Sequence, residues 1–132
     1  MTVKNSSNPK FLIIDELPTS RRLVRTFLKK MGYNQVVEAE NGAEALEKIR
    51  SEGVEFIIAD CQMEDIPGVE LYRQIRSEEG CKNIPFVMLA PRTNTSQIEE
   101  AREAGIEDYV RKPLDLGSLS TKVQEVLQRE AE

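Results

Sequence analysis

The chain has 132 residues, of which 39% are hydrophobic and 31% charged, and its formal net charge is −5. This length and composition predict one globular domain with its own core, and the acidic balance argues against direct binding to nucleic acid. The apolar runs are too short to insert into a membrane and the first residues do not resemble a signal peptide, so we expect a cytoplasmic protein.

The residue types exclude several kinds of site. There is no histidine, which excludes histidine-ligated zinc and catalysis by Ser-His-Asp or Cys-His groups. Cys61 and Cys81 are too far apart for a CxxC pair, and Cys61 is interpreted as a small buried residue. If a phosphohistidine takes part in the function, another molecule must carry it.

Short apolar runs alternate with amphipathic segments along the chain, which is typical of βα units on a mostly parallel sheet. After a flexible polar tail at residues 1–9, the pattern predicts strands at residues 11–14, 36–40, 56–59, 86–89 and 108–111. A helix follows each strand. Capping residues predict four of the starts, at Thr19 or Ser20, Asn41, Ser96 with Glu99, and Asp115 or Ser118, and the third helix is predicted from about Val69. The sequence therefore predicts a doubly wound α/β domain at residues 10–130.

Charged side chains follow three of these strands. Asp15 and Glu16 follow the first strand, Asp60 the third, and Lys112 the fifth, whereas Glu64 and Asp65 are interpreted as solvated loop charges. In open α/β sheets, ligands bind beyond the carboxyl ends of the strands. If the first and third strands are neighbours, carboxylates ~4 Å apart would repel by about 4 kcal/mol at an effective dielectric of about 20. Such a group requires protonation, a cationic side chain or a metal ion.

The composition of this edge favours phosphate chemistry. Lys112 could offset one charge, and carboxylate oxygens without histidine or thiolate select Mg²⁺, or Mn²⁺ or Ca²⁺, over zinc. Bound Mg²⁺ usually keeps positions for phosphate oxygens, and carboxylates attack phosphorus to form aspartyl-phosphates. Asp60 could therefore be a metal ligand or a nucleophile, and we interpret it as a phosphate acceptor. The stretch DELPTSR lacks the glycines of a phosphate-binding loop, which argues against a nucleotide or flavin site.

With these residues placed, the chain resembles the receiver domains of two-component response regulators, especially the single-domain CheY-like kind. The resemblance covers nearly all of residues 10–130 and rests on FLIIDELPTSRRLVRTFLKKMGY, VVEAENGAEALEKIR, FIIADCQMEDIPGVELYRQIR, IPFVML and AGIEDYVRKPL. It implies a flavodoxin-like (βα)5 fold, with helices on both faces of a five-stranded parallel sheet of order 2-1-3-4-5. This order would make the first and third strands neighbours.

The resemblance also implies roles for individual residues. Asp60 would be the phosphoacceptor, and Lys112 would contact the phosphoryl group. Mg²⁺, for which Mn²⁺ could substitute, would be held by Asp15, Glu16, Asp60 and the backbone carbonyl of Gln62. Tyr109 would be the aromatic switch residue, and the peptide bond between Lys112 and Pro113 would be cis.

The implied function is that of a signalling phosphoacceptor and not of an enzyme with a separate substrate. A histidine kinase or a histidine phosphotransfer protein would donate the phosphoryl group. The face formed by helix 4, strand 5 and helix 5 would then bind a downstream target protein. No effector domain is expected after helix 5, so we expect no DNA binding.

Ala90 departs from the family pattern, because a serine or threonine hydroxyl normally contacts the phosphoryl group there. A hydrogen bond to a charged group contributes roughly 1.5–3 kcal/mol, so the phosphorylated state should be less stabilised. The alternative hypothesis is therefore a pseudo-receiver, a protein-interaction module that does not depend on phosphorylation. A metal-dependent phosphohydrolase is disfavoured because Gln62 stands where such enzymes carry a second acid.

Overall fold

The computed structural model describes residues 8–91 and 95–131. Five parallel strands form one sheet in the order β2-β1-β3-β4-β5: β1 Phe11–Ile14, β2 Val36–Ala39, β3 Phe56–Asp60, β4 Phe86–Ala90 and β5 Tyr109–Arg111. One helix follows each strand: α1 Pro18–Lys30, α2 Gly42–Glu52, α3 Gly68–Ser77, α4 Thr95–Ala104 and α5 Leu116–Ala131. The predicted fold class and strand order are confirmed.

The core consists of two layers, one on each face of the sheet. Alternate strand residues such as Leu12 and Ile57 pack with α2, α3 and α4, and their neighbours, such as Ile13 and Ile58, pack with α1 and α5. All residues of β1, β3 and β4 are buried, as expected of parallel strands that helices cover on both faces. Among the described residues, no helix is long and apolar enough to span a membrane.

Two predicted helix starts are confirmed. Asn41 accepts a hydrogen bond from the backbone N–H of Glu44 at the start of α2 (2.8 Å). Asp115, one of the two alternatives for α5, accepts from the backbone N–H of Ser118 (2.8 Å). In both places a short polar side chain replaces the hydrogen bonds that the first turn of a helix lacks.

Two other predicted starts lie later in the chain than the helix starts in the structure. Helix α1 begins at Pro18 after Leu17 and has no side-chain cap, so neither Thr19 nor Ser20 caps it. Proline at the first helical position needs no cap for its own nitrogen, because it has no N–H group. Helix α4 already begins at Thr95, so Ser96 lies within its first turn.

Part of the predicted N-terminal tail, residues 1–7, lies outside the described residues. Asn8 and Pro9 are packed on the domain: the amide of Asn8 donates to Asn34 (2.9 Å), its carbonyl accepts from Gln35 (2.7 Å), and Pro9 is buried. These contacts place Asn8 and Pro9 with the folded domain.

Candidate functional site

The pairing of β1 with β3 brings two aspartates together at the carboxyl edge of the sheet. Ile14 is aligned with Ala59, so the next residues, Asp15 and Asp60, emerge beside each other. Both are buried, with exposed fractions of 1% for Asp15 and 7% for Asp60. Their juxtaposition has an electrostatic cost: burial raises the pKa of Asp60, and the charge of Asp15 raises it further.

Lys112 forms an ion pair with Asp60. Its Nζ lies 3.0 Å from Asp60 Oδ1. Lys112 reaches this position because β5 pairs with β4 and the backbone N–H of Lys112 donates to the carbonyl of Ala90 (2.9 Å); the following bond to Pro113 is cis. Burial raises the pKa of Asp60 above its ordinary value, and the ammonium of Lys112 partly offsets that increase. The pair thus keeps a partly dehydrated carboxylate beside a cation.

Asp15 carries an oxygen that the protein does not satisfy. Its Oδ1 accepts from the backbone N–H of Leu17 (2.9 Å), and the guanidinium of Arg21 donates to its backbone carbonyl (2.6 Å). Its Oδ2 is buried and has no hydrogen-bond partner among the described residues. A buried carboxylate oxygen without a donor is costly, and a cation ligated there would remove that cost. Asp15 therefore fits a bound hard cation.

Glu16 is positioned differently from the two aspartates. Its carboxylate accepts from the backbone N–H of Glu64, in the loop between β3 and α3. Within residues 8–91 and 95–131, no three acidic or cysteine side chains converge closely enough to hold a metal ion. The structure therefore brings together Asp15, Asp60 and Lys112 but does not gather the Glu16 carboxylate with them. Two carboxylates still suit Mg²⁺, which usually binds one or two and keeps several waters.

The loop after Asp60, residues 61–67, packs tightly against its surroundings. A Cβ atom on Gly68, at the start of α3, would lie 2.8 Å from the Cα of Cys61 and 2.9 Å from the carbonyl oxygen of Asp60. Only glycine allows this approach, which brings the start of α3 against the strand end that carries Asp60. Gln62, whose carbonyl was predicted as a metal ligand, is an exposed residue of this loop.

Asp65 has a role that the sequence interpretation missed. It is not only a solvated loop charge, because its carboxylate accepts from the backbone N–H groups of Gly42 (2.9 Å) and Ala43 (3.3 Å) at the start of α2. The available signal was weak: Asp65 is distant in sequence from α2, and Asn41 already supplied a cap for that helix.

Cys61 is buried, as predicted, and its thiol is not activated. Burial raises its pKa to about 11, and the neighbouring Asp60 charge acts in the same direction. The Sγ atom lies 3.8 Å from Oε1 of Gln97 in the first turn of α4. Cys61 therefore connects the end of β3 with α4 as a neutral thiol.

The two predicted switch positions lie on neighbouring strands. Ala90 ends β4, is fully buried, and presents a methyl group that cannot donate a hydrogen bond. Tyr109 begins β5, is partly buried against the core layer of α2, α3 and α4, and has the guanidinium of Arg111 5.9 Å from its ring centroid. This edge therefore carries the ion pair of Lys112 and Asp60, and the side chain at position 90 adds no hydroxyl group to it.

Comparison with known proteins identifies relatives over most of the chain. Residues 11–124 match the family model of the response regulator receiver domain. Chemotaxis protein CheY-3 of Vibrio cholerae is 32% identical over 124 residues, which cover 94% of this chain and 95% of that protein. Chemotaxis protein CheY of Pseudomonas aeruginosa is 32% identical over 120 residues, which cover 91% of this chain and 97% of that protein.

Solved structures show the same architecture. Chemotaxis protein CheY4 of Vibrio cholerae superimposes with a TM-score of 0.83 at 28% identity, covering 91% of this chain and 99% of that one. The receiver domain of sensor histidine kinase PA1611 of Pseudomonas aeruginosa, which has a magnesium ion coordinated in its active-site cleft, superimposes with a TM-score of 0.82. The match covers 92% of this chain and 99% of that domain, at 22% sequence identity, so this likeness concerns the fold alone.

Proposed function

Since the chain belongs to the response regulator receiver domain family, we propose that it acts in two-component signalling by accepting a phosphoryl group on Asp60. The observation that carries the proposal is the ion pair between Asp60 and Lys112, 3.0 Å long, beside the unpartnered Oδ2 of Asp15. A carboxylate and a cation at the end of a buried strand form an acceptor whose charge is already partly neutralised.

The donor is a phosphohistidine of a partner, either a histidine kinase or a histidine phosphotransfer protein, because this chain has no histidine. A carboxylate oxygen of Asp60 forms the new bond to phosphorus while the bond from phosphorus to the imidazole nitrogen breaks. The imidazole leaves with the electron pair and takes up a proton. Lys112 stabilises the charge on the phosphoryl oxygens, and its ammonium opposes the increase in the pKa of Asp60 that burial causes, which favours the ionised, nucleophilic form.

Asp15 and Asp60 would hold Mg²⁺, with the carbonyl of Gln62 as a further ligand; Mn²⁺ could substitute. When bound, the ion neutralises charge on the phosphoryl oxygens. The fit rests on the buried Oδ2 of Asp15, which requires a positive partner, and on ligands that are all oxygen. Glu16, which now binds the loop through Glu64, would act from outside the direct ligands or exchange that contact for the ion.

The output is a change in protein binding on the face of α4, β5 and α5. Ala90 makes this response weaker than in relatives that carry a hydroxyl there, because the methyl group offers the phosphoryl oxygen no donor. If phosphorylation leaves the face of α4, β5 and α5 unchanged, the protein corresponds to the pseudo-receiver alternative.

The test is intact mass measured after incubation with Mg²⁺ and a small-molecule acyl phosphate. The wild type should gain one phosphoryl group, and Asp60→Asn should gain none. Asp108→Asn is the matched control, because Asp108 is also a buried aspartate but lies at the opposite end of β5, paired with Arg129. This control should still be phosphorylated.

Uptake that is equal in the wild type and Asp60→Asn, or independent of Mg²⁺, would refute the proposal. The nuclear magnetic resonance spectrum of Tyr109, recorded with and without the phosphoryl group, separates the two outputs. A shifted Tyr109 signal supports a phosphorylation-dependent switch, and an unchanged one supports the interaction module.

A further inference from the structure

The loop between β3 and α3 is attached to the domain from two sides. On one side, the Glu16 carboxylate accepts from the backbone N–H of Glu64. On the other side, the Asp65 carboxylate accepts from Gly42 and Ala43 at the start of α2. Gln62 lies in the chain between Asp60 and both attachments.

The attachment of Asp65 to α2 is specific. Oδ2 lies 2.9 Å from the nitrogen of Gly42 and 3.3 Å from that of Ala43, and Oδ1 lies 3.2 Å from the nitrogen of Gly42. The first N–H groups of a helix have no partner within the helix and carry the positive end of its dipole, so they suit a carboxylate. Asn41 already caps the N–H of Glu44, so Asp65 satisfies donors that Asn41 leaves open.

Packing supports the same attachment. A Cβ atom on Gly42 would lie 2.2 Å from Cγ2 of Ile66, the residue after Asp65. The absence of a side chain at Gly42 therefore lets the loop lie directly on the start of α2. At its other end the loop is held by Gly68, which packs on the backbone of Asp60 and Cys61.

We propose that Asp65 is a positioning residue: it holds the loop on α2 and thereby fixes the backbone of Gln62, whose carbonyl would complete the magnesium site. This inference rests on the proposed function. Asp65 itself is exposed, and its carboxylate accepts from backbone N–H groups of α2. Its contribution is preorganisation, because a ligand carbonyl on a loop that must first be ordered binds the ion more weakly.

Three variants separate positioning from other effects. Asp65→Ala removes the charge and the attachment. Asp65→Asn removes the charge but keeps an oxygen that accepts from Gly42. Asn41→Ala is the matched control, because it removes a cap from the same helix without touching the loop. Urea denaturation checks that Asp65→Ala and Asn41→Ala lose comparable stability.

Two measurements are made on the full chain. Calorimetric titration with MgCl₂ should show that Asp65→Ala binds the ion about tenfold more weakly, the size usual for residues that orient metal ligands. Asn41→Ala should bind it as the wild type does, and Asp65→Asn, which keeps one acceptor oxygen, should lose less affinity than Asp65→Ala. In metal-free buffer, the backbone amides of residues 61–66 should exchange hydrogen faster in Asp65→Ala only.

Each other outcome overturns the inference. Unchanged magnesium affinity in Asp65→Ala means that the loop needs no attachment to α2. An equal loss in Asp65→Asn means that the charge acts at a distance, and an equal loss in Asn41→Ala means that helix stability is responsible. If the wild type itself does not bind Mg²⁺, the proposed function is refuted. If the wild type and Asp65→Ala bind Mg²⁺ equally well, only the present inference is refuted.

Discussion

Replacing Asp15 with asparagine should stabilise the metal-free protein. Asp15 is 1% exposed, and one oxygen of its carboxylate has no hydrogen-bond partner in the described part of the chain. Asparagine is nearly the same size, and its oxygen can still accept from the backbone N–H of Leu17 (2.9 Å in the wild type). The substitution removes a buried charge that also repels Asp60.

The size of the gain follows from these contacts. An unsatisfied buried acceptor costs about 1–3 kcal/mol, and a charged one more. The new amide N–H₂ group recovers only part of this, so we expect an increase of about 1–2 kcal/mol in the free energy of unfolding. For a domain of this size, that corresponds to a rise of about 3–10 °C in Tm.

Mg²⁺ should stabilise the wild type more than the variant. A ligand that binds only the folded state stabilises it by RT ln(1 + [L]/Kd), which is about 1.4 kcal/mol at ten times Kd. The wild type should therefore gain stability as MgCl₂ is added, whereas Asp15→Asn should gain little because it lacks the charge that binds the ion.

The assay is urea denaturation followed by circular dichroism, first with a chelator and then with increasing MgCl₂. Asp108→Asn is the control, because Asp108 is also buried but is paired with Arg129 at 3.0 Å. That variant should lose stability. If Asp15→Asn is less stable than the wild type in metal-free buffer, or responds to MgCl₂ equally, the reasoning about the unpartnered oxygen is wrong.

Three further predictions concern the same edge of the sheet. Burial raises the pKa of Asp60 in the folded protein above 3.8, so the folded protein holds this proton more tightly than the unfolded chain does. The free energy of unfolding should therefore fall as the pH rises from 3.8 through the raised pKa. Asp60→Asn should flatten this part of the profile, measured by urea denaturation in metal-free buffer. Lys112→Met should raise the pKa of Asp60 further and slow phosphoryl uptake, followed by intact mass, by about 100-fold, and an unchanged rate would contradict the role of the ion pair. Gly68→Ala should lower the free energy of unfolding, measured by urea denaturation, by about 1–3 kcal/mol, because the new Cβ would lie 2.8 Å from the Cα of Cys61. Gly117→Ala is the control: its Cβ would have its nearest contact at 3.4 Å, so this variant should be as stable as the wild type or more stable.

The sequence alone determined the strands, the helices and the edge of the sheet where the charged residues lie. The apolar run at residues 56–59 predicts a buried strand, which the structure confirms, and Asn41 and Asp115 mark helix starts by local chemistry. Because ligand sites in such folds follow the strands, the sequence is enough to place Asp60 and Lys112 at one edge of the sheet. These features depend on burial and on neighbours a few residues apart, which a linear pattern records.

The strand order did not follow from periodicity. An apolar run shows that a strand is buried but not which strand lies beside it, and the order 2-1-3-4-5 came from the resemblance to receiver domains. The pairing of Ile14 with Ala59 in the structure is what makes Asp15 and Asp60 neighbours.

Only the tertiary structure decided which polar groups meet. The carboxylate of Glu16 contacts the loop at Glu64, and Asp65 binds the start of α2, although it lies 23 positions after Gly42 in the chain. Neither contact has a sequence signature, because each depends on a side-chain rotamer and on two loops that the sheet brings together. Sequence patterns indicate which residues are buried. The partner of a carboxylate at the surface depends instead on which distant backbone N–H groups the fold brings within hydrogen-bonding distance.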